Sequence, residues 1–404
     1  MTGGRLMERS GIYIAGSDMN AGKTTLSLGL ISWLEEREES GAAFMKPLGQ
    51  KTTLLDGQAV GEDTFLVNTS LGLDIPLEYT APFAMSSGVS ENYLAHGKPD
   101  DIGKKIRKAY RYLKSKNATI VVEGTGHPGV GSVFDLDNAD VAKMLGIPVV
   151  LVLNGGIGKT IDRFTLCMGL FRQKEVPVLG VIINRVLESK LEKVRKYLDP
   201  WFDDIGVPVF GYIPYVSSLC RPSIEMLGRE LGVETIVKWK KKSGSPVEGF
   251  IGGFGSTAEI VSDIEKRPES ALLLSTGRIE VVDAIVSRRV SGQLDRGPGA
   301  IVLCGKDKGD ASAYISNVCS KMDIPLYRSP RSAGDSVSIL NKRIFKVEPG
   351  ESVKISEIVK TVKNHVDVQG LFEALQTSDS ISGSGSERSV SKFRNWFSRL
   401  FGKR

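Results

Sequence analysis

At 404 residues, with 41% hydrophobic, 25% charged and 7% aromatic residues, the chain has the composition of a globular protein of two or three domains and is too apolar for general disorder. No apolar run approaches the roughly 20 residues that span a bilayer, and the first ten residues lack the apolar stretch of a secretory leader; Cys167, Cys220, Cys304 and Cys319 form neither a CxxC pair nor a Cys/His cluster, which argues against a disulfide framework or zinc site and points to a reducing cytoplasm. Of the formal charge of +6, +5 sits in residues 387–404, where Arg388, Lys392, Arg394, Arg399, Lys403 and Arg404 stand with Glu387 alone, so a near-neutral body carries a basic tail and no nucleic-acid partner is expected.

Along the first half, short β-branched runs at Gly11–Ala15, Ala42–Met45, Thr119–Val122, Ile147–Leu153, Val178–Ile183 and Val207–Ile213 predict strands. Stretches of helical period at Thr24–Glu36, Ile102–Leu113, Ala139–Leu145 and Ile161–Phe171 lie between several of them. That alternation predicts an α/β class with right-handed crossovers and a mostly parallel sheet flanked by helices. Near-continuous apolarity in Val149–Leu153 and Val178–Ile183 fits central strands buried on both faces.

The first strand runs directly into Gly16-Ser-Asp-Met-Asn20-Ala21-Gly22-Lys23-Thr24-Thr25, which opens the first helix. A glycine-rich turn between strand and helix directs backbone N–H groups onto phosphates, and the helix amino terminus adds partial positive charge. Lys23 can then span β- and γ-phosphates and the Thr24 hydroxyl can bind Mg²⁺. The common form of this loop has four residues between its glycines, whereas Gly16 and Gly22 are separated by five.

A helix near Pro222–Leu231 precedes Lys238-Trp-Lys-Lys-Lys-Ser-Gly-Ser-Pro246, a polar stretch rich in breakers that predicts a linker. The pattern then restarts with strands at Ala271–Leu274, Ala300–Leu303 and Pro325–Arg328 and helices at Glu280–Val290 and Ala311–Lys321, a second and smaller α/β domain. The expected organisation is a nucleotide-binding domain at 1–237, a linker at 238–247, the second domain at 248–375, a Ser/Gly tether at 376–388 and a basic amphipathic helix at 389–404. In that helix Val390, Phe393, Trp396, Phe397, Leu400 and Phe401 share one face, flanked by Lys392, Arg394, Arg399 and Lys403. This is the composition of an interfacial helix on anionic lipid; docking on the protein's own body or in a protein groove is the alternative.

Five residues between the loop glycines with an acid third is the form found in dethiobiotin synthetases, and the sequence resembles that P-loop family further at Phe44-Met-Lys46-Pro47, Val121-Val-Glu123-Gly124-Thr-Gly126, Gly180-Val-Ile-Ile-Asn184-Arg and Gly211-Tyr-Ile-Pro214. The same order occurs in cobyrinate synthetases and in the amino-terminal part of long phosphotransacetylases. The resemblance implies ATP and Mg²⁺ as cofactors, with Gly16, Asn20, Ala21, Gly22, Lys23, Thr24 and Thr25 on the nucleotide and Asn184 presenting its amide to the adenine edge. It implies Thr24, Asp63 and Glu123 as metal ligands, a hard-oxygen set suited to Mg²⁺. Lys23 and Lys46 would be catalytic, Lys46 beside the γ-phosphate and an anionic acceptor. For Asp63 a plain surface acid is the alternative, for Glu123 a solvated strand-end carboxylate and for Asn184 a turn amide. His127 in Gly126-His127-Pro128-Gly129 is read as a structural or exposed histidine.

On the acceptor side the sequence departs from dethiobiotin synthetases: Lys46-Pro-Leu-Gly-Gln50 and Met85-Ser-Ser-Gly88 replace their hydroxyl-bearing loop and Ser-Pro-His segment. Residues 248–345 resemble a degenerate DRTGG domain, with Arg278-Ile279 where that family has Asp-Arg and Cys304-Gly305-Lys306 where it has Thr-Gly-Gly. A phosphotransacetylase catalytic domain would need several hundred further residues, and no cysteine has a histidine partner suited to a glutaminase. The expectation is a cytoplasmic, nucleotide-dependent regulatory or scaffolding ATPase, a homodimer with a tail that attaches it peripherally to a membrane or partner. The alternative is an ATP-dependent ligase that activates a carboxylate or carbamate through a phosphoryl intermediate.

Overall fold

The computed structural model describes residues 10–37, 41–50, 52–55, 58–86, 88–96, 102–238, 245–306, 309–343 and 345–382. Two units emerge, Met1–Tyr215 with Ile358–Arg404, and Val216–Glu357.

The first unit opens with β1 (Ser10–Gly16), α1 (Lys23–Glu35) and β2 (Ala42–Met45), then the hairpin β3 (Thr52–Leu55) and β4 (Gln58–Gly61). Helices α2 (Glu62–Leu71), α3 (Leu77–Thr80), α4 (Val89–His96) and α5 (Ile102–Lys116) lead to β5 (Thr119–Glu123). From there α6 (Asn138–Leu145), α7 (Gly158–Gln173) and α8 (Leu191–Asp204) alternate with β6 (Val149–Asn154), β7 (Val178–Val186) and β8 (Val209–Pro214). Six of these strands form a parallel sheet in the order β2-β5-β1-β6-β7-β8. All six strands expected from the sequence form, for the reason given there: buried parallel strands are covered on both faces and read as apolar runs. Tyr13, Ala15, Val122, Leu151 and Ile183 face a core shared with Ile106 and Leu113 of α5 and Phe164 of α7. The alternate residues Ile12, Ile14, Val121 and Val152 are equally buried, on the opposite face as period-two geometry requires.

The second unit contains α9 (Ile224–Leu231), β9 (Glu234–Val237), β10 (Phe250–Gly252), α10 (Thr257–Lys266), β11 (Ala271–Ser275), α11 (Ile279–Val290), β12 (Ala300–Cys304), α12 (Asp310–Met322), β13 (Leu326–Ser329) and α13 (Ala333–Asn341). Its sheet runs β10-β11-β12-β13-β9, the first four parallel and β9 antiparallel to β13. Ile260, Ile264, Val281 and Ile315 fill one face, and Leu227, Leu231, Ala333 and Leu340 the other.

The boundaries differ from the expected ones. The stretch near residue 240 has linker composition, yet β9 before it joins the second sheet and α9 packs in the second core with Val247. At the other end α14 (Ser352–His365) carries the chain back to the first unit, where α15 (Val368–Ser382) packs on β1, β7 and β8. There Phe372 stacks on Trp33 of α1 with ring centroids 5.7 Å apart, Lys363 pairs with Glu36, and the Asp367 N–H donates to the Phe210 carbonyl at 2.7 Å. Residues 358–375 therefore complete the first unit, and the second is an insertion between β8 and this closing pair. The expected tether also starts later, because α15 runs on through Ser382. Extending a helix already packed through Leu371 and Leu375 costs little per residue, and Thr377 and Ser378 return their hydroxyls to the carbonyls of Glu373 and Leu375. The basic amphipathic segment 389–404 lies outside the described residues. Among those residues no helix is long and apolar enough to cross a membrane.

Candidate functional site

At the carboxyl end of β1 the backbone leaves the sheet at Gly16 and enters α1 through Gly22, whose φ of 97° is left-handed. Only glycine meets both demands at this second position. Its φ strains any L side chain, and an added Cβ would stand 1.9 Å from Asn184 Nδ2. No side chain caps α1, so its first-turn N–H groups are available to an anion. Ala21 is buried and Asn20 and Thr25 half-buried around this turn. The Lys23 ammonium folds over the loop and donates to the Gly126 carbonyl at 2.8 Å, to Asp18 O at 3.2 Å and to Met19 O at 3.3 Å. The Asp18 carboxylate accepts from Asn154 Nδ2 at 3.3 Å and lies 3.5 Å from Arg163.

Asn184, at the end of β7, has a task that its strand-end position did not reveal. Its Nδ2 donates to the Ala21 carbonyl at 2.7 Å and its Oδ1 accepts from the Arg185 N–H at 2.8 Å. The side chain therefore braces the phosphate loop from behind.

The expected metal ligands converge. Thr24 Oγ1 lies 3.0 Å from Glu123 Oε1 and 3.4 Å from Asp63 Oδ1. Glu123 is fully buried at the end of β5, which excludes the solvated-carboxylate alternative, and its Oε2 accepts from Ser27 at 3.1 Å. Asp63 arrives on the first turn of α2, directly after the β3–β4 hairpin; its contacts set aside a plain surface acid. Lys46, at the end of β2, places its ammonium between the two carboxylates, 2.5 Å from Asp63 and 2.7 Å from Glu123. Burial alone would lower the proton affinity of this ammonium. The charges of Glu123 and then Asp63 overcome that and hold its pKa above the ordinary lysine range. Two carboxylates and a hydroxyl are the hard-oxygen donors that Mg²⁺ takes, so these residues fit the metal that the loop implies.

Two residues missed in the sequence support this cluster. Ser27, one turn after Thr24, orients Glu123. Asn138, at the start of α6, clamps the loop after β5: its Oδ1 accepts from Thr125 N–H and from Tyr13 OH, both at 3.0 Å, while its Nδ2 faces the carbonyls of Thr125, His127 and Pro128 at 2.9–3.1 Å. An asparagine 15 residues beyond a glutamate carries no local signal of that role. Asn138→Ala would leave several buried polar groups unpaired and is expected to cost about 2–4 kcal/mol, read as a lower urea midpoint; an unchanged midpoint would remove the clamp. His127 is exposed, and its Nδ1 accepts from the Gly129 N–H of its own loop at 3.2 Å. Burial pushes the thiols of Cys167 and Cys319 up to about 12, which leaves them inert.

On the acceptor side, residues 46–50 are laced to 80–85. Lys46 N–H donates to Thr80 O at 2.7 Å, Gly49 N–H to Phe83 O at 2.9 Å and Met85 N–H to Gly49 O at 2.6 Å. Phe83 and Tyr93 meet Phe134 edge-on at 5.6 and 5.0 Å, in the core cluster that holds Leu48.

Among known proteins, a phosphate acetyltransferase of Nitratidesulfovibrio vulgaris is 22% identical over 90% of this chain. The chain spans 51% of that relative's length. An ATP-dependent dethiobiotin synthetase of Clostridium kluyveri is 30% identical over 52% of this chain and 85% of its own. Among solved structures, the MinC:MinD cell division complex of Aquifex aeolicus aligns at 16% identity over 52% of this chain and 83% of that one, with a TM-score of 0.33. The AAA domain family AAA_26 matches residues 10–223, the span that holds the phosphate loop and every residue of the cluster, and the chain belongs to this dethiobiotin synthetase-like P-loop family.

Proposed function

We propose that the protein is a Mg-ATP-dependent regulatory or scaffolding ATPase whose basic tail docks it on an anionic membrane surface. The observation that carries the nucleotide reading is the contact group of half-buried Thr24 and Asp63 with buried Glu123 and Lys46, beside the uncapped amino terminus of α1. In this reading the phosphates rest on the loop from Gly16 to Thr25, and Lys23 exchanges carbonyl partners for phosphate oxygens. Thr24, Glu123 and Asp63 hold the magnesium, which when bound neutralises phosphate charge. Asn184, while bracing Ala21, keeps one amide hydrogen for the adenine edge.

Packing after Lys46 favours a regulatory role over a ligase. Leu48 is buried, and Phe83, Tyr93 and Phe134 crowd the segment that follows. One observation favours the ligase: Lys46 stands at a strand end against both carboxylates, where it could meet an anionic acceptor. For the second unit we propose a degenerate DRTGG-like domain. Arg278 supports this as a structural residue, because its Nη1 donates to Gly255 O at 2.8 Å and Gly253 O at 3.3 Å.

The test is phosphate release by the purified protein with Mg-ATP, with and without small carboxylates and amines. Glu123→Gln and Asp63→Asn are each expected to cut Mg²⁺-dependent turnover by at least about tenfold while changing nucleotide affinity less, because a metal carboxylate acts mainly on charge that develops during transfer. Release that depends strictly on an added acceptor would turn the assignment to the ligase. Failure to bind Mg-ATP at all would end both.

A further inference from the structure

The near-neutral charge of the body conceals a local concentration. Helix α5 carries Lys104, Lys105, Arg107, Lys108, Arg111, Lys114 and Lys116 and no acidic residue. Its apolar side, Ile102, Ile106, Ala109, Tyr110 and Leu113, is buried in the first core. At about 100° per residue, Arg107, Lys108, Arg111 and Lys114 fall within an arc of about 120° that points away from that buried side, and all four are exposed. Lys104 and Lys105, in the first turn, have polar partners of their own. Among the described residues, none of the four forms an ion pair; Arg111 Nε donates only to the Arg107 carbonyl, at 3.3 Å. Lys114 and Lys116 also complement the carboxyl end of the helix dipole, but that accounts for charge in the last turn and not for Arg107, Lys108 and Arg111.

We infer that α5 is a second contact with an anionic lipid surface, made through Arg107, Lys108, Arg111 and Lys114. This rests on the membrane part of the proposed function, and the experiment separates the two. The surface is a row of cations rising about 10 Å along the helix, with its apolar residues committed to the core, so it would attract headgroups without inserting. Lipid is the chosen occupant because the sequence of residues 390–401 intersperses Phe393, Trp396, Phe397, Leu400 and Phe401 with Lys392, Arg394 and Arg399, a composition suited to an anionic lipid surface. Such a segment and the basic side of α5 would together supply the apolar and the electrostatic halves of peripheral membrane binding.

The experiment uses the full chain and vesicles of phosphatidylcholine with increasing phosphatidylserine, scored by co-sedimentation at low and high salt. Arg107→Gln/Lys108→Gln/Arg111→Gln/Lys114→Gln removes four charges from exposed helical positions with a residue that favours helix. It is expected to weaken binding to anionic vesicles at least about tenfold at low salt, to flatten the salt dependence, and to leave Mg-ATP affinity unchanged. Lys108→Arg/Lys114→Arg should bind as the parent does, which guards against an effect of folding. Against a Trp396→Glu/Phe397→Glu background, weak phosphatidylserine-dependent binding should persist and then vanish with the four Gln substitutions. If the tail substitutions alone abolished all binding and the α5 substitutions changed nothing in the parent, the inference would fall while the tail reading stood. Tighter binding of the parent to duplex DNA than to vesicles, lost with the same four substitutions, would overturn lipid as the occupant.

Discussion

Lys23→Ala is expected to weaken Mg-ATP binding by at least about a hundredfold in a protein that remains folded. A phosphate-loop lysine makes charge-assisted contacts of about 1.5–3 kcal/mol each, and loss of two of them passes that factor. In the structure the same ammonium already serves the loop, through the carbonyls of Gly126, Asp18 and Met19. The substitution therefore also removes a tie between the phosphate loop and the loop after β5. That tie joins a buried ammonium to backbone carbonyls, so its loss should cost about 1.5–3 kcal/mol of stability, short of unfolding the chain. Calorimetric titration with Mg-ATP, alongside a thermal melt, separates the two effects. Unchanged affinity in a folded variant would rule out the phosphate-loop assignment.

The legible parts of the fold and site share a cause. Buried parallel strands are apolar on both faces, so β1, β5, β6 and β7 stand out as runs, and the residues at their carboxyl ends, Gly16, Glu123 and Asn184, are placed once the strands are. Thr24 and Lys23 follow from the loop spacing. Asp63 was harder, because it is delivered by α2 after a short hairpin whose residues show no strong period. Asn138 and Ser27 act through other residues, and side-chain identity alone does not report that. The closing helices were missed because their partners are far away in the chain, those on α1 by more than 300 residues: Val362 fills the space beside Gly29, where a Cβ would come within 2.3 Å of it, and Phe372 lies on Trp33. Composition marks a polar stretch near residue 240, whereas the unit boundaries fall at Tyr215 and Glu357, inside stretches of ordinary composition.

Lys46→Met is expected to destabilise the protein by about 3–5 kcal/mol, because it strands Glu123, a fully buried carboxylate, without its counter-ion. Thr24 and Ser27 would still donate to that carboxylate, which limits the loss but does not neutralise the charge. Adding Glu123→Gln should recover part of the cost, since a neutral amide does not need the ammonium, and the two substitutions should be strongly non-additive. The pH dependence has a definite sign. Folding raises the proton affinity of Lys46, the two carboxylates outweighing burial, so the stabilisation is fully present below the ordinary lysine value of about 10.4 and is lost as pH rises through the higher folded value. The stability gap between parent and Lys46→Met should therefore be constant from neutrality to about pH 10 and narrow above it, which urea denaturation at a series of pH values would follow. A gap that failed to narrow in alkali, or the absence of any gap at pH 7, would mean that the ammonium is not the counter-charge of the cluster. The same electrostatics bear on function. While Lys46 occupies the space between Asp63 and Glu123 it screens the charge that would attract a divalent cation, so Lys46→Met should also change the magnesium concentration needed for half-maximal ATP binding, an effect that loss of packing alone would not produce.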